Sequence, residues 1–212
     1  MLNRYARAFF TKVLTPVARL LLRAGISPDA VTVVGTIGVC VGALAFYPRG
    51  EFFVGTLVIT AFVFSDMIDG AMARMSGRSS SWGAFLDSTL DRIGDGAVFG
   101  GLVLWFASEG DITMASLALW CLVVGSVVSY ARARAEGLGM RANVGVAERA
   151  DRLVAILVAT GLDGLGVPYV QALALWLLAV ASLVTVVQRV IVVRRQALAA
   201  DPSQRPSARA RA

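Results

Sequence analysis

Five of the fourteen acidic residues in this 212-residue chain fall between Asp66 and Asp95, inside segments otherwise apolar enough for a lipid bilayer. On a helix, residues three or four apart share a face, so Asp66 and Asp69 project together from the end of one helix and Asp87 and Asp91 from the start of the next. A carboxylate at membrane depth costs about 3 kcal/mol on insertion scales. Four held close together therefore call for compensating cations, and pairing with Arg74 and Arg92 alone would leave too many carboxylates unmatched. An all-oxygen ligand set suits the hard cations Mg²⁺ and Mn²⁺. Four acids around two cations about 4 Å apart form the clamp used for in-line attack at phosphorus, so the reaction class is phosphoryl transfer. Gly70, Ala73 and Gly83 remove bulk beside the acids and leave room for a ligand. Arg74, one turn beyond Gly70, is placed to neutralise a donor phosphate. Asp95, one turn deeper than Asp91, reads as a packing or supporting residue, partnered by Arg92, and not as a ligand. The chain contains no histidine, so any chemistry must rest on carboxylates, hydroxyls and arginine.

The elements that must position these residues are membrane helices. The chain is 57% hydrophobic, with a mean hydropathy of +0.72. Its apolar stretches are long enough to cross the hydrocarbon core at about 1.5 Å per residue. Six spans are expected, near 29–47, 52–74, 83–107, 112–136, 148–164 and 167–194, the fifth having the shortest apolar run. The linker 75–82 is short and carries Gly77 and the serine run 79–81, which makes the second and third spans an antiparallel hairpin with both acidic pairs at one membrane boundary. Arg4, Arg7, Lys12, Arg19, Arg23, Arg78 and the stretch from Arg132 to Arg152 lie on one side, whereas the opposite turns offer only Arg49. By the positive-inside rule both termini are cytoplasmic. The formal charge of +6 follows from this topology and does not indicate a nucleic-acid partner.

Residues 1–26 form an expected interfacial amphipathic helix, with Leu2, Tyr5, Phe9, Val13, Val17, Leu20 and Leu21 near helical spacing and basic residues on the other face. Ser27 as cap, Pro28 and Asp29 mark the start of the first span. Residues 27–196 form the transmembrane domain, and 197–212 are read as a disordered basic tail. The pairs Gly38/Gly42 and Gly96/Gly100 allow close helix approach, first within the chain and second in a dimer. Cys40 and Cys121 lie inside spans, unpaired, as small apolar residues.

The run Asp66, Asp69, Gly70, Ala73, Arg74, Gly83, Asp87 and Asp91 resembles, at every spacing, the signature D-x2-D-G-x2-A-R-x8-G-x3-D-x3-D of the CDP-alcohol phosphotransferase family. The resemblance implies an all-α integral membrane enzyme with six transmembrane helices, a CDP-activated lipid donor, loss of CMP and transfer of the phosphatidyl group to an alcohol. It implies that Asp66, Asp69 and Asp87 hold one divalent ion and Asp66, Asp87 and Asp91 a second, with Asp91 also the general base for the acceptor hydroxyl. Asp29, Ala30, Val31, Thr32, Gly70 and Arg74 are the implied contacts of CDP-diacylglycerol, joined by Ser80.

The signature leaves the acceptor open. Ser129, Arg132, Arg134, Arg149 and Arg189, with Arg152 beside them, stand at the cytoplasmic level of the acids, and fixed guanidinium groups suit a phosphorylated alcohol because Arg grips phosphate bidentately. These segments resemble those of actinobacterial phosphatidylinositol-phosphate synthases. The expectation is therefore a homodimeric, multi-pass cell-membrane phosphatidyltransferase using Mg²⁺ or Mn²⁺, two ions per site, CDP-diacylglycerol and inositol 1-phosphate, among membrane lipids and with its active site facing the cytoplasm. Competing readings are the same chemistry on glycerol 3-phosphate, giving phosphatidylglycerophosphate; an intramembrane polyprenyltransferase, which would divide its aspartates between two separated motifs; and a divalent-cation transporter, which would need carboxylates along a through-path and not at one face.

Overall fold

A computed structural model describes residues 15–76 and 80–200, apart from the Asp66 side chain. The regular elements among the described residues are all helices, with no strand. Residues 15–23 form α1. It ends at Gly25, whose φ of +77° lets the Gly25 and Ile26 N–H groups return to the Leu22 and Leu21 carbonyls, both at 3.1 Å, in a Schellman stop. The expected amphipathic helix is thus helical where it is described, and residues 1–14 lie outside the described part. Ala18 of α1 is fully buried against Ala71 and Met72, so α1 docks on the helix that carries Asp69.

Helix α2 (Pro28–Phe46) begins as the sequence predicts. Ser27 Oγ accepts from the Ala30 N–H at 3.2 Å and proline occupies the first turn. A 3₁₀ turn, Tyr47–Arg49, leads to α3 (Phe52–Val63) and α4 (Ser65–Ser76). The single helix expected over 52–74 is therefore interrupted at Phe64. Here the Ser65 hydroxyl donates to the Phe62 carbonyl at 2.5 Å, while the Phe64 N–H still reaches Thr60 O at 3.1 Å, so the chain continues across the irregularity. Helix α5 (Ser81–Ser108) is capped by Ser80, α6 (Ile112–Gly137) by Asp111, and α7 (Arg149–Asp163) and α8 (Val170–Ala200) complete the bundle. Residues 197–200, expected in a disordered tail, are helical. Ala197, Leu198, Ala199 and Ala200 are strong helix formers with nothing to stop them. Residues 201–212 lie outside the described part.

The packing explains the glycines. A Cβ on Gly35 would fall 1.8 Å from Ser65 Oγ, one on Gly38 2.2 Å from the Phe62 ring and one on Gly42 3.1 Å from Ile59, so one face of α2 is cut to receive α3 and α4. Gly101 brings α5 onto the opposite side of α2, where a Cβ would meet Ala43 O at 2.8 Å. Gly38/Gly42 thus serve as expected. Gly96/Gly100 pack against no described part of the chain, because among the described residues nothing lies within 4 Å of where their Cβ atoms would be. The apolar core joins Val39 and Ala43 of α2 and Tyr47 of the 3₁₀ turn to Ile59, Leu102, Cys121, Ile156 and Leu175 of the other helices. Cys40 and Cys121 are both free thiols.

Large apolar side chains also cover the outside, including Val34, Ile37 and Val41 of α2 and Trp176, Leu177 and Val180 of α8. Water would not tolerate such continuous apolar faces, whereas lipid does. Among the described residues four helical stretches are long and apolar enough to span a bilayer: Pro28–Arg49, Phe52–Ser76, Ile112–Gly137 and Val170–Ala200. The protein is a multi-pass membrane protein. Helix α5 has the length but carries Asp87, Asp91, Arg92 and Asp95 from near its start to its middle, and α7 is only 15 residues long.

Candidate active site

The N-terminal turns of α2 form the platform of the site. Thr32 Oγ1 donates to Asp69 Oδ2 of α4 at 2.5 Å, and both residues are 7% exposed. One turn earlier, Asp29 Oδ1 lies 3.7 Å from where a Cβ on Gly83 of α5 would sit. The same end of α2 therefore touches both helices of the eight-residue motif. This corrects the expected hairpin: α4 and α5 make at most marginal contact with each other, and each packs instead on α2. Gly70 and Gly83 carry no side-chain bulk, and among the described residues only Arg74 at Gly70, and Ser80 and Asp29 at Gly83, come within 4 Å of where their Cβ atoms would sit.

On α4, the carboxylate of Asp69 is buried, and Asp66 stands one turn earlier on the helix. Arg74 folds back along its own helix, with Nη1 3.4 Å from where a Gly70 Cβ would sit, so the missing side chain at Gly70 makes room for this guanidinium. Ala30 gives its N–H to the Ser27 cap, Val31 packs beside Ile68 and Met72, and Ser80 Oγ accepts the Gly83 N–H at 3.0 Å. Ser80 thus fixes the start of α5 at the level of the expected donor contacts.

Along α5 the acids descend into the bundle. Asp87 is exposed, Asp91 partly buried and Asp95 8% exposed. A small cleft runs beside Asp91, walled by Thr36 and Val39 of α2, Leu90 and Gly94 of α5, Val63 of α3, and Arg149 and Leu153 of α7. Arg149 Nη1 is 2.7 Å from Asp91 Oδ1, while its Nε donates to Asp95 Oδ1 at 3.2 Å. Arg92 lies 3.4 Å from Asp95 and 3.8 Å from Asp91, and also donates to Ser129 Oγ on α6.

The remaining basic residues expected to bind the acceptor divide by environment. Arg132 pairs with Glu136 at 3.0 Å on the exposed face of α6, and Arg134 is exposed there. Arg152 and Arg189 are each 3% exposed and tie the α6–α7 connection to its surroundings. Arg152 donates to the Ala147 and Gly125 carbonyls at 3.1 and 3.2 Å. Arg189 donates to Val144 O at 2.9 Å and Val128 O at 2.5 Å. Thr185 Oγ1 accepts the Val146 and Ala147 N–H groups, and Gln196 bonds the Arg141 backbone in both directions. On sequence alone Arg189 is expected at the acceptor and Thr185 and Gln196 are passed over, although the spacing of four and seven along α8 makes the three a polar stripe in an apolar helix. Arg92 was seen only as a counter-ion.

Among the described residues no three acidic or thiol side chains converge tightly enough to hold a cation, and the Asp66 side chain lies outside that set. The donor chemistry nevertheless fits a hard divalent ion. Asp69, Asp87 and Asp91 offer only carboxylate oxygens, from two helices that leave an interval between them, with Thr32 orienting one of the acids.

Comparison with known proteins bears on the same residues. The family model for CDP-alcohol phosphatidyltransferase matches residues 25–187, from the turn before α2 into α8. The chain is 60% identical over 209 residues to the phosphatidylinositol phosphate synthase of Streptomyces avermitilis, covering 95% of this chain and 86% of that protein. It is 46% identical over 200 residues to the synthase of Mycolicibacterium smegmatis, covering 92% and 90%. Among solved structures, phosphatidylinositol phosphate synthase of Mycobacterium tuberculosis with CDP-DAG bound superposes with a TM-score of 0.83 at 45% identity, covering 86% of this chain and 94% of that one. The same enzyme in complex with manganese and citrate gives a TM-score of 0.82 at 45% identity, covering 85% and 88%. With the motif complete, the fold shared and the match running through every helix that builds the site, the chain belongs to the CDP-alcohol phosphatidyltransferase family.

Proposed function

We propose that this enzyme transfers the phosphatidyl group of CDP-diacylglycerol to inositol 1-phosphate, yielding phosphatidylinositol phosphate and CMP. The observation that carries the acceptor is Arg149, whose guanidinium stands 2.7 Å from Asp91 at the mouth of the cleft. An alcohol presented to Asp91 thus arrives beside a fixed cation suited to a phosphate on the same molecule. Relatives named phosphatidylinositol phosphate synthase support the same substrate.

In this reading Asp91 takes the proton of the acceptor hydroxyl, and Arg149 grips the acceptor phosphate, with Ser129, Arg132, Arg134 and Arg189 lining its pocket. Asp29 to Thr32, Gly70, Arg74 and Ser80 hold the CDP-lipid. Arg74, free of bulk at Gly70, answers the diphosphate. Asp66, Asp69, Asp87 and Asp91 hold divalent cations; two Mg²⁺ or Mn²⁺ ions would supply charge stabilisation at the phosphoryl oxygens. Thr32 keeps Asp69 in one orientation. We further propose that α5 and α7 complete six spans, that residues 1–26 lie at the interface, that the 27–196 domain has both termini and its site on the cytoplasmic side, and that two copies associate.

The test is CMP release by purified protein with Mg²⁺ and CDP-diacylglycerol, offering inositol 1-phosphate, inositol, glycerol 3-phosphate and serine separately. Release confined to inositol 1-phosphate is expected. Release with glycerol 3-phosphate instead would keep the enzyme class and replace the acceptor. No release at all, with Mn²⁺ uptake into proteoliposomes, would point to transport.

A further inference from the structure

Four charged side chains close into a ring beside the cleft. Asp91 meets Arg149 at 2.7 Å, Arg149 meets Asp95 at 3.2 Å, Asp95 meets Arg92 at 3.4 Å, and Arg92 returns to Asp91 at 3.8 Å. The motif ends at Asp91, so Asp95 belongs to none of its eight positions. It is nevertheless the most buried member, 8% exposed and one turn deeper in α5. A carboxylate taken so far out of water persists only when paired, and both of its partners lead to the acceptor pocket. Arg149 stands beside the expected base. Arg92 donates to Ser129 on α6. Behind them the buried Arg152 lies within electrostatic reach of the same carboxylate.

We infer that Asp95 is the positioning residue of the acceptor pocket, holding Arg149 by its Nε edge in the place beside Asp91 where the acceptor phosphate arrives. The inference rests on the acceptor reading above. Its physical basis is a division of labour between two acids. Asp91 has other demands on its charge during the reaction, as base and as cation ligand. Asp95 has none of these and remains a constant counter-anion for both guanidiniums. Anchoring Nε fixes the plane of the Arg149 guanidinium, whose Nη1 is paired with Asp91 at 2.7 Å, and a guanidinium held in one plane is what ordered contact with a phosphate requires. Anchoring Arg92 at the same carboxylate ties Ser129, and with it α6, to the same frame.

The experiment compares wild type, Asp95→Asn, Asp95→Glu, Arg149→Ala and the double variant Asp95→Asn/Arg149→Ala. CMP release is measured while inositol 1-phosphate and CDP-diacylglycerol are varied in turn, with thermal melting of each protein alongside. Asp95→Asn is expected to raise the acceptor KM by about tenfold, the scale of a coupled charged pair, with the donor KM changed less than about twofold. Asp95→Glu should recover part of the loss. In the double variant the Asp95 change should add little to Arg149→Ala, because both act through one group. Equal rises in both KM values, a fall in kcat with the acceptor KM unchanged, or full additivity would each overturn the proposal. Should Asp95→Asn fail to fold, Asp95→Glu decides, since a one-methylene displacement that left the acceptor KM unchanged would also overturn it. A wild-type enzyme that used glycerol 3-phosphate would overturn only the acceptor, and the same KM split measured with that phosphate would then decide the role of Asp95.

Discussion

At the scale of residues, the site is defined by which carboxylates are held and by what. Asp91 touches two guanidiniums and lines the cleft, and the proposed reaction gives it the proton of the acceptor alcohol. Asp91→Asn should abolish CMP release while leaving CDP-diacylglycerol binding within a few-fold of wild type, as judged by equilibrium binding; retained turnover would remove Asp91 as the base. Asp69 depends on a neighbour in a different way, through the Thr32 hydroxyl. Thr32→Val preserves the side-chain shape and removes that donor, so Mn²⁺ affinity measured by direct titration should fall by about tenfold or more. An unchanged affinity would show that Asp69 keeps its orientation without Thr32. The arginines carry a parallel lesson. Arg152 and Arg189 are the deepest, and each spends two nitrogens on backbone carbonyls, so their substitution would also disturb the α6–α7 connection that leads to Arg149.

At the scale of elements, α2 sets the geometry. It receives α3 and α4 on one face and α5 on the other, and its first turns touch both halves of the motif. The glycines separate contacts within the chain from surfaces that face outward. Gly101→Ala would push a methyl against the Ala43 carbonyl and separate α5 from α2, at a cost of about 1–3 kcal/mol as in other overpacked sites. Melting in detergent should fall accordingly. Gly96→Ala has open space around it and adds helix propensity of about 1 kcal/mol or less. It should leave melting of the monomer unchanged or slightly raised, and a marked loss would place a second copy against that face. On the other side of the bundle, Thr185, Arg189 and Gln196 fasten the α6–α7 connection to α8, so a helix remote from the motif helps to fix where α7 starts.

At the scale of the whole molecule, charge and apolar surface are segregated. The motif acids and the arginines that meet them lie at the start of α4, in the first half of α5 and at the start of α7, while the outer helical faces are apolar. A site of this kind should depend on divalent ions throughout. Removal of metal with EDTA is expected to stop CMP release, and Mg²⁺ or Mn²⁺ added back should restore it; full activity after chelation would reject a metal-dependent enzyme. Zn²⁺ should serve poorly, because the set contains no nitrogen or sulfur ligand.

Much of this was legible in the chain. Residue types and spacings determine the acidic motif, because three- and four-residue intervals put side chains on one helix face whatever surrounds them. They also determine the membrane class and the start of α2, since hydrophobic length and capping are local properties. Tertiary structure decided the rest. That α4 and α5 meet through α2 and not as a packed hairpin depends on contacts between residues far apart in the chain, such as Thr32 with Asp69 and Gly35 with Ser65. That Gly38/Gly42 pack inside the chain while Gly96/Gly100 do not could not be told from their identical spacing, because a small residue permits close approach without naming the partner. The ring of Asp91, Arg149, Asp95 and Arg92 joins groups more than fifty residues apart, and electrostatic pairing at that separation exists only once the helices have been brought together.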